Sequence, residues 1–376
     1  MVAEFLLIFV KLSIHHEILL NKLDHYGIRG TALQWFHYYL SNRNQFVSHN
    51  GQSSKLQSIN CGVPQGSVLG PLLFLLYIND LPNFSNILQF YLFADDTNIY
   101  YEADTLVNLE LTINRELKKL HTWLIVNRLS LNIDKTNFVV FHPFNKPLTQ
   151  KITLKIQKNA ISEKDHVKYL GILIDSTLSW RNHIDNLSTK VSKSVGLLYK
   201  IRNFVDITII KTLYYSLVYP HLIYGIEVWG SADEIHLNRL LILQKKIVRL
   251  ISYSDKKQPD YSFLPSDPLF FKLEIHKIHD IFKLNISKFI YKCLNKWTPV
   301  NFHSWYQLTS SLNKYNTRSK FVNIENLVET RTLFVPTART SNYGLKLLKV
   351  LGPKVWNSLP PLLRINESLN SFIKIF

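Results

Sequence analysis

Asp95 and Asp96 stand side by side in the middle of an apolar stretch, Leu88 to Tyr101. β-Branched and aromatic residues flank this short polar break, which predicts two strands joined by a tight turn. Acidic turns are common on protein surfaces, so a merely solvated Asp-Asp pair is the plain alternative. Side chains alternate between the two faces of a strand, and two neighbouring carboxylates on such a hairpin cannot both leave the protein. Held against an apolar sheet they are costly to ionise, and a divalent cation with oxygen ligands is the usual compensation. Two cations about 3.5–4 Å apart clamp the attacking and leaving oxygens of a phosphoryl transfer. That is the chemistry to expect of this pair.

The elements that must position it follow from periodicity. The run Phe5 to Val10 is too short for a signal or membrane helix, has Glu4 before it, and reads as a buried strand. Helical spacing runs from Glu17 to Tyr39 with a stop and restart at Tyr26–Gly30. His15 and His16 fall at that helix start, as capping or polar-face residues rather than ligands. A turn at Asn50-Gly51 separates predicted strands Gln45–His49 and Leu56–Asn60, and a Gly/Pro loop, Cys61 to Pro71, leads to a helix over Leu72–Leu81 that Pro82 stops. Asp104 would cap a helix with Leu106, Leu109, Ile113, Leu117, Leu120 and Leu124 on one face and Arg115, Lys118 and Lys119 outside. Strands are predicted at Phe138–His142, at Lys151–Gln157 and at Val167–Ile174, the last kinked at Gly171. Helices follow over Ile184–Leu198, Ile207–Tyr219 up to Pro220, and Ile235–Ile251. Ser252–Asp267 reads as a polar linker, and Phe270–Leu294 as a further helix. The pattern is an α+β core followed by a helical bundle.

Of the 376 residues 46% are apolar and 19% charged, which excludes a disordered chain; Lys plus Arg number 44 against 27 Asp plus Glu. Residues 1–250 hold 26 basic and 19 acidic side chains, and residues 251–376 hold 18 and 8. So basic a chain suits a polyanionic partner, nucleic acid or an acidic membrane surface. Two cysteines far apart, Cys61 and Cys293, imply neither a disulfide framework nor a zinc site, and point to a reducing, intracellular location in nucleus or cytoplasm. No membrane partner is expected, since no stretch reads as a transmembrane segment.

Four blocks in order carry a resemblance: Gly62-Val63-Pro64-Gln65-Gly66-Ser67-Val68-Leu69-Gly70-Pro71, Phe93-Ala94-Asp95-Asp96-Thr97, Asn127 to Thr136, and Val167-Lys168-Tyr169-Leu170-Gly171-Ile172. Together they resemble the reverse transcriptases of non-LTR, LINE-like (jockey/CR1-type) retrotransposons. Tyr343-Gly344 and Gly352 to Pro360 resemble the tail of such reading frames. The resemblance implies a partial right-hand polymerase palm over 1–180, an antiparallel sheet with helices; a helical thumb over 181–251; and a mostly helical, basic region over 252–376. It also implies RNA-templated addition of deoxynucleoside triphosphates to a DNA primer. Asp95 and Asp96 would ligate Mg2+, with Mn2+ as substitute, and Lys135 would act as general acid toward pyrophosphate. Pro64, Gln65 and Gly66 would lie against template base and nucleotide, where glycine allows close backbone approach. Tyr169, Leu170 and Gly171 would grip the primer, and Lys190, Lys193, Lys200, Arg202 and Lys211 would contact the nucleic-acid backbone. Trp297, Trp305 and Tyr306 are candidates to stack on bases, or core residues.

One departure matters as much as the matches. Family members carry a further Asp on the strand before a His-x-x-Leu-Leu helix. Here the helix, His16-Glu17-Ile18-Leu19-Leu20, is intact, and Leu12 stands where that Asp belongs, with Lys11 in place of the preceding aromatic. The fingers segment expected upstream is not in the sequence, as in a truncated or misstarted reading frame. The expectation is an inactive reverse transcriptase fragment, with a noncatalytic nucleic-acid-binding remnant as the alternative and a metal-dependent nuclease as a weaker third. The sheet expected places Asp95 and Asp96 at a hairpin turn beside the Phe5–Leu12 strand, with Leu12 facing Asp95.

Overall fold

The computed structural model describes the chain except residues 1, 12–13, 65, 95, 149, 257–264, 313–320, 323–327, 330, 341–342, 366–367 and 376. The side chains of 2–11, 254–256, 312, 321–322, 328–329 and 374–375 are also outside the description. The chain forms two compact units, 1–178 and 179–376. Among the described residues no helix is long and apolar enough to cross a membrane.

The first unit begins with β1 (Val2–Lys11), α1 (His16–His25) and α2 (Gly30–Leu40). A ribbon of short strands follows: β2 (Asn44–Gln45), β3 (Ser48–His49), β4 (Gln52–Ser53) and β5 (Gln57–Ser58). Then come α3 (Leu69–Ile78), a 3-10 turn at Leu81–Phe84, and the hairpin β6 (Gln89–Phe93) and β7 (Asp96–Glu102). After α4 (Leu106–Val126) lie β8 (Ser130–Leu131), β9 (Asn137–Phe141), β10 (Lys155–Ile156), β11 (Asn159–Ala160), β12 (Ser162–Glu163), β13 (His166–Tyr169) and β14 (Ile172–Asp175). The main sheet has the order β12-β9-β1-β7-β6, with β8 pairing the end of β1. All its pairings are antiparallel except β12 with β9. The apolar face of α4 is buried in the same core as Ile99, Phe138 and Val140 of the sheet, as its spacing predicts. Glu116 of α4 is buried too, 1% exposed. Burial alone would raise its pKa, but hydrogen bonds from Ser85, Lys119 and Arg115 outweigh that and hold the carboxyl below its ordinary range.

A set of polar contacts joins α1, α3 and the end of α4. The fully buried Tyr77 accepts the His15 N–H at 3.4 Å and donates its hydroxyl to the Asn127 carbonyl oxygen at 2.6 Å. Lys22 donates to the Tyr77 carbonyl oxygen and to Asp80, both at 2.6 Å. Its ammonium also lies over the rings of Tyr77 and Trp123.

Several local expectations change. Thr105, not Asp104, caps α4 through its hydroxyl, which accepts the Asn108 N–H at 3.2 Å. Helix α3 starts three residues early, at Leu69; Pro71 sits in its first turn, where a missing N–H costs nothing. Pro82 opens a 3-10 turn instead of simply ending the chain's helical path. The segment Val167–Ile174 is not one kinked strand but a hairpin, because Leu170 (φ 44°) and Gly171 (φ 88°) both turn left-handed. From Lys151 to Gln157 the alternation does predict burial, with Ile152, Leu154 and Ile156 inside, but only Lys155–Ile156 pairs as strand.

The second unit is helical: α5 (Arg181–Ile201), α6 (Ile207–Leu217), α7 (Tyr219–Ile223), α8 (Ile226–Trp229), α9 (Glu234–Lys256), α10 (Ser266–Lys272) and α11 (Ile278–Leu294). Beyond these come α12 (Thr309–Leu312), and α13 (Leu348–Asn357), α14 (Pro361–Arg364) and α15 (Leu369–Ile375), the last three sharing a core with Ile286, Ile290 and Tyr291 of α11 through Trp356, Leu363 and Phe372. Pro220 lies in the first turn of α7 and does not end the helical stretch. The stretch read as linker from Ser252 is helical to Lys256, and 257–264 lies outside the described residues. The helix read over Phe270–Leu294 breaks between α10 and α11, at Glu274 with φ 54°. Gln244, fully buried, serves that break: it accepts the Ile278 N–H at 2.8 Å and donates to the His276 carbonyl oxygen at 3.1 Å. Gly230 sits so close to the Phe282 ring that a Cβ would overlap it.

Two outcomes test this reading. Tyr77→Phe strands the His15 N–H and the Asn127 carbonyl, and is expected to cost the first unit about 1–3 kcal/mol. Urea denaturation checks it, as a lower midpoint at unchanged slope; an unchanged midpoint would mean the hydroxyl holds nothing. His183, 2% exposed against Trp229, is lowered to a pKa of about 4 by burial and by nearby Lys190. Between that value and the unfolded value of about 6.5 the unfolded chain binds the extra proton, so stability falls as pH falls through this window. The expected loss from pH 7 to 4.5 is about 2–3 kcal/mol, and His183→Gln removes that share of the pH dependence.

Candidate active site

The hairpin β6–β7 brings Phe93 opposite Asp96, with Ala94 left-handed (φ 51°) in the turn between them. Asp95 lies outside the described residues. Asp96 is half-buried, and its partner on β1 is Ile8. The strand expected beside the hairpin is thus there, paired from Val2 with Glu102 to Ile8 with Asp96. Leu12, like Asp95, falls outside the described residues, so the expected approach of one to the other does as well.

Lys135 occupies an exposed turn after β8, where Thr136 is buried and bonds back to the Asn132 carbonyl oxygen at 2.7 Å. Strand β8 pairs Ser130 with Lys11 and Leu131 with Phe9. This brings the turn to the end of β1 that also carries Ile8, the partner of Asp96.

The loop 61–69 is fixed to the start of α1. Cys61 bridges His15, the Gly62 N–H donates to the Ile14 carbonyl oxygen at 2.7 Å, and His16 Nε2 bonds the Gly62 carbonyl oxygen at 2.7 Å. His16 therefore ties the loop to α1, where the sequence suggested only a capping or polar-face residue. Pro64 is half-buried, Gly66 exposed, and Gln65 outside the described residues. A Cβ at Gly66 would meet nothing; its φ of 80° is what calls for glycine there.

Tyr169 stands before the left-handed pair Leu170-Gly171. With Ile87, Gln89, Tyr91, Tyr100, Tyr101 and Glu102 it lines an open cleft of about 570 Å³. Strand β7 also buries Thr97 and Asn98 completely. Their polar side-chain atoms have no hydrogen-bond partner among the described residues, a costly arrangement beside Asp96 that β-propensity alone does not reveal.

In the second unit the five basic candidates separate. Lys190, Lys193 and Lys200 are exposed on α5, away from its buried Ile184, Leu187, Val191 and Leu198. Arg202 instead lies over the rings of Tyr199 and Tyr253, at 4.0 and 4.4 Å. Lys211 pairs with Glu274 at 3.7 Å. Of the aromatic candidates Trp297 is exposed, whereas Tyr306 is a core residue and Trp305 packs against that core.

A divalent cation here would need Asp95 and Asp96 plus a further donor. Among the described residues, which do not include Asp95, no three His, Cys, Asp or Glu side chains come together.

Residues 12–174 match the family described as reverse transcriptase (RNA-dependent DNA polymerase). The RNA-directed DNA polymerase from the mobile element jockey of Drosophila funebris is 30% identical over 217 residues, 55% of this chain and 23% of that one. The probable RNA-directed DNA polymerase from transposon X-element of Drosophila melanogaster is 28% identical over 57% of this chain and 24% of its own. The chain thus spans about a quarter of the length of these relatives. A telomerase from Candida albicans, solved with a fragment of telomeric RNA, covers 69% of this chain and 48% of its own at 12% identity and a TM-score of 0.37. That value is too low to bear on the assignment. The family match and the two transposon relatives do bear on it: residues 12–174 match a reverse transcriptase domain, and over this part the chain is similar to the RNA-directed DNA polymerases of LINE-like, non-LTR retrotransposons.

Proposed function

We propose that this chain is the palm and thumb part of a non-LTR reverse transcriptase that no longer extends a primer and retains nucleic-acid binding. The observation that carries the reading is the register of β1: its Ile8 lies opposite Asp96, and its last residues pair with β8, ahead of Lys135. In this reading 1–180 is the palm, 181–251 the thumb and 252–376 a basic extension. Asp95 and Asp96 are the remaining metal carboxylates, and Lys135 is the general acid. Pro64, Gln65 and Gly66 face template and nucleotide, and Tyr169, Leu170 and Gly171 hold the primer end. By sequence position Leu12 stands where the third carboxylate belongs, and a leucine can neither ligate a cation nor stabilise charge that develops in the transition state.

The expected outcome is that the chain gives no detectable extension of a DNA primer on an RNA template with Mg2+ or Mn2+. Robust extension that disappears in Asp95→Ala would overturn this part, since another group would then supply the missing ligand.

Binding rests on a different observation, the three exposed lysines of α5 on a chain with a formal net charge of +17. Phosphate contacts release counterions, so log affinity for single-stranded RNA should fall linearly with log salt, by about 0.7 for each phosphate neutralised. Because α9 runs through residue 252, charge substitutions test this better than truncation there. The triple variant Lys190→Gln, Lys193→Gln, Lys200→Gln should flatten the slope by about 2. An unchanged slope would reduce those lysines to a solvated helix face.

A further inference from the structure

Helix α2 buries Leu40 and sets Leu33, Phe36 and Tyr39 against the core of the first unit. It turns two other aromatics outward: Trp35 is 52% exposed and Tyr38 75%. Trp35 is stacked on Tyr39, ring centroids 5.4 Å apart and planes 11° from parallel. The Arg43 guanidinium lies over Tyr39 in turn, 5.7 Å from its centroid. Trp35 and Tyr39 sit at the four-residue spacing that lines up one side of a helix, and Arg43, beyond the helix end at Leu40, adds a guanidinium to the pair.

The ribbon that follows is open to solvent. Strands β2 to β5 are exposed at every position, and Phe46, Val47 and Leu56 in the segments between them are exposed as well. A two-stranded ribbon without a covered face is marginal in water. Charge supplies the second, independent observation. From His25 to Asn79 there is no Asp or Glu; Arg29 is paired with Asp24, while Arg43 and Lys55 are basic and Asn, Gln and Ser fill much of the rest. A surface that offers flat aromatic faces, a cation and many amides, and no carboxylate, matches a strand of bases and phosphates. Two separated cations, Arg43 and Lys55, make it a poor match for an anionic membrane surface, which favours clustered Lys and Arg.

We propose that α2 and the ribbon 44–58 form a docking surface for single-stranded nucleic acid, on which an unpaired base stacks against Trp35 and a phosphate further along the strand meets Arg43. The inference rests on the nucleic-acid reading given above, but on neither the Asp pair nor the basic thumb helices.

The test is binding of the full chain to fluorescein-labelled dT12 and to an abasic oligonucleotide of equal length, in the parent and in Trp35→Ala, Trp35→Phe and Arg43→Gln. Circular dichroism verifies that each variant is folded. Trp35→Ala is expected to weaken dT12 binding by about tenfold, with Trp35→Phe close to the parent and the abasic strand indifferent to both. Arg43→Gln should weaken both strands and lower the salt slope by about 0.7. Trp35→Ala that binds dT12 like the parent, or that loses the abasic strand equally, overturns this inference alone. Trp35-dependent association with anionic lipid vesicles and not with dT12 overturns it in favour of a membrane surface. A parent chain that binds neither strand overturns both this inference and the reading it rests on.

Discussion

The hydroxyl of Tyr77 accepts one backbone N–H, from His15, and donates to one backbone carbonyl, of Asn127. Those two groups belong to the start of α1 and the end of α4, and Tyr77 itself belongs to α3. Three sequence blocks, which separate stretches of chain carry, thereby share one buried phenol. Helix ends leave backbone groups that need partners, and a partner inside a protein must come from somewhere fixed. Lys22 reinforces the same junction through the Tyr77 carbonyl and Asp80. The chain that follows β1 is anchored at this junction through His15.

The second unit solves a similar problem with an amide. Gln244 takes a donor and an acceptor from the chain between α10 and α11, where backbone would otherwise be buried without a partner. It also donates to the Tyr214 hydroxyl at 3.2 Å, and burial pushes the phenol of Tyr214 well above its ordinary pKa. Polar groups inside both units are thus used to join irregular chain to regular elements. The charged groups that face water, Lys190, Lys193 and Lys200, are left available for a partner.

Much of this was legible in the sequence. The period-2 runs on either side of Asp95-Asp96 become β6 and β7, and the leucine spacing after Asp104 becomes the buried face of α4. What the sequence obscured has physical causes. Thr105 outcompetes Asp104 as a cap because its position, not its charge, puts an oxygen under the Asn108 N–H. The hairpin at Leu170-Gly171 was hidden because leucine rarely turns left-handed. The break before α11 depends on Gln244, some thirty residues earlier, which no local pattern encodes. His16 and Tyr77 likewise act across distances of 46 and 62 residues. The order of the four motif blocks survived all of these local errors, since it depends on topology and not on exact helix ends.

Gly230 lies against the Phe282 ring with no room for another atom. Its consequence is genetic as well as structural. A glycine codon changed at its first or second base encodes a larger residue or a stop, so such single-base changes would either push Phe282 out of place or end the chain. A reading frame drifting without selection would meet this position as often as any other, and the second unit would record the event as misfolding. The intact contact makes residue 230 a sensitive marker of whether copies of this element still encode a protein that folds.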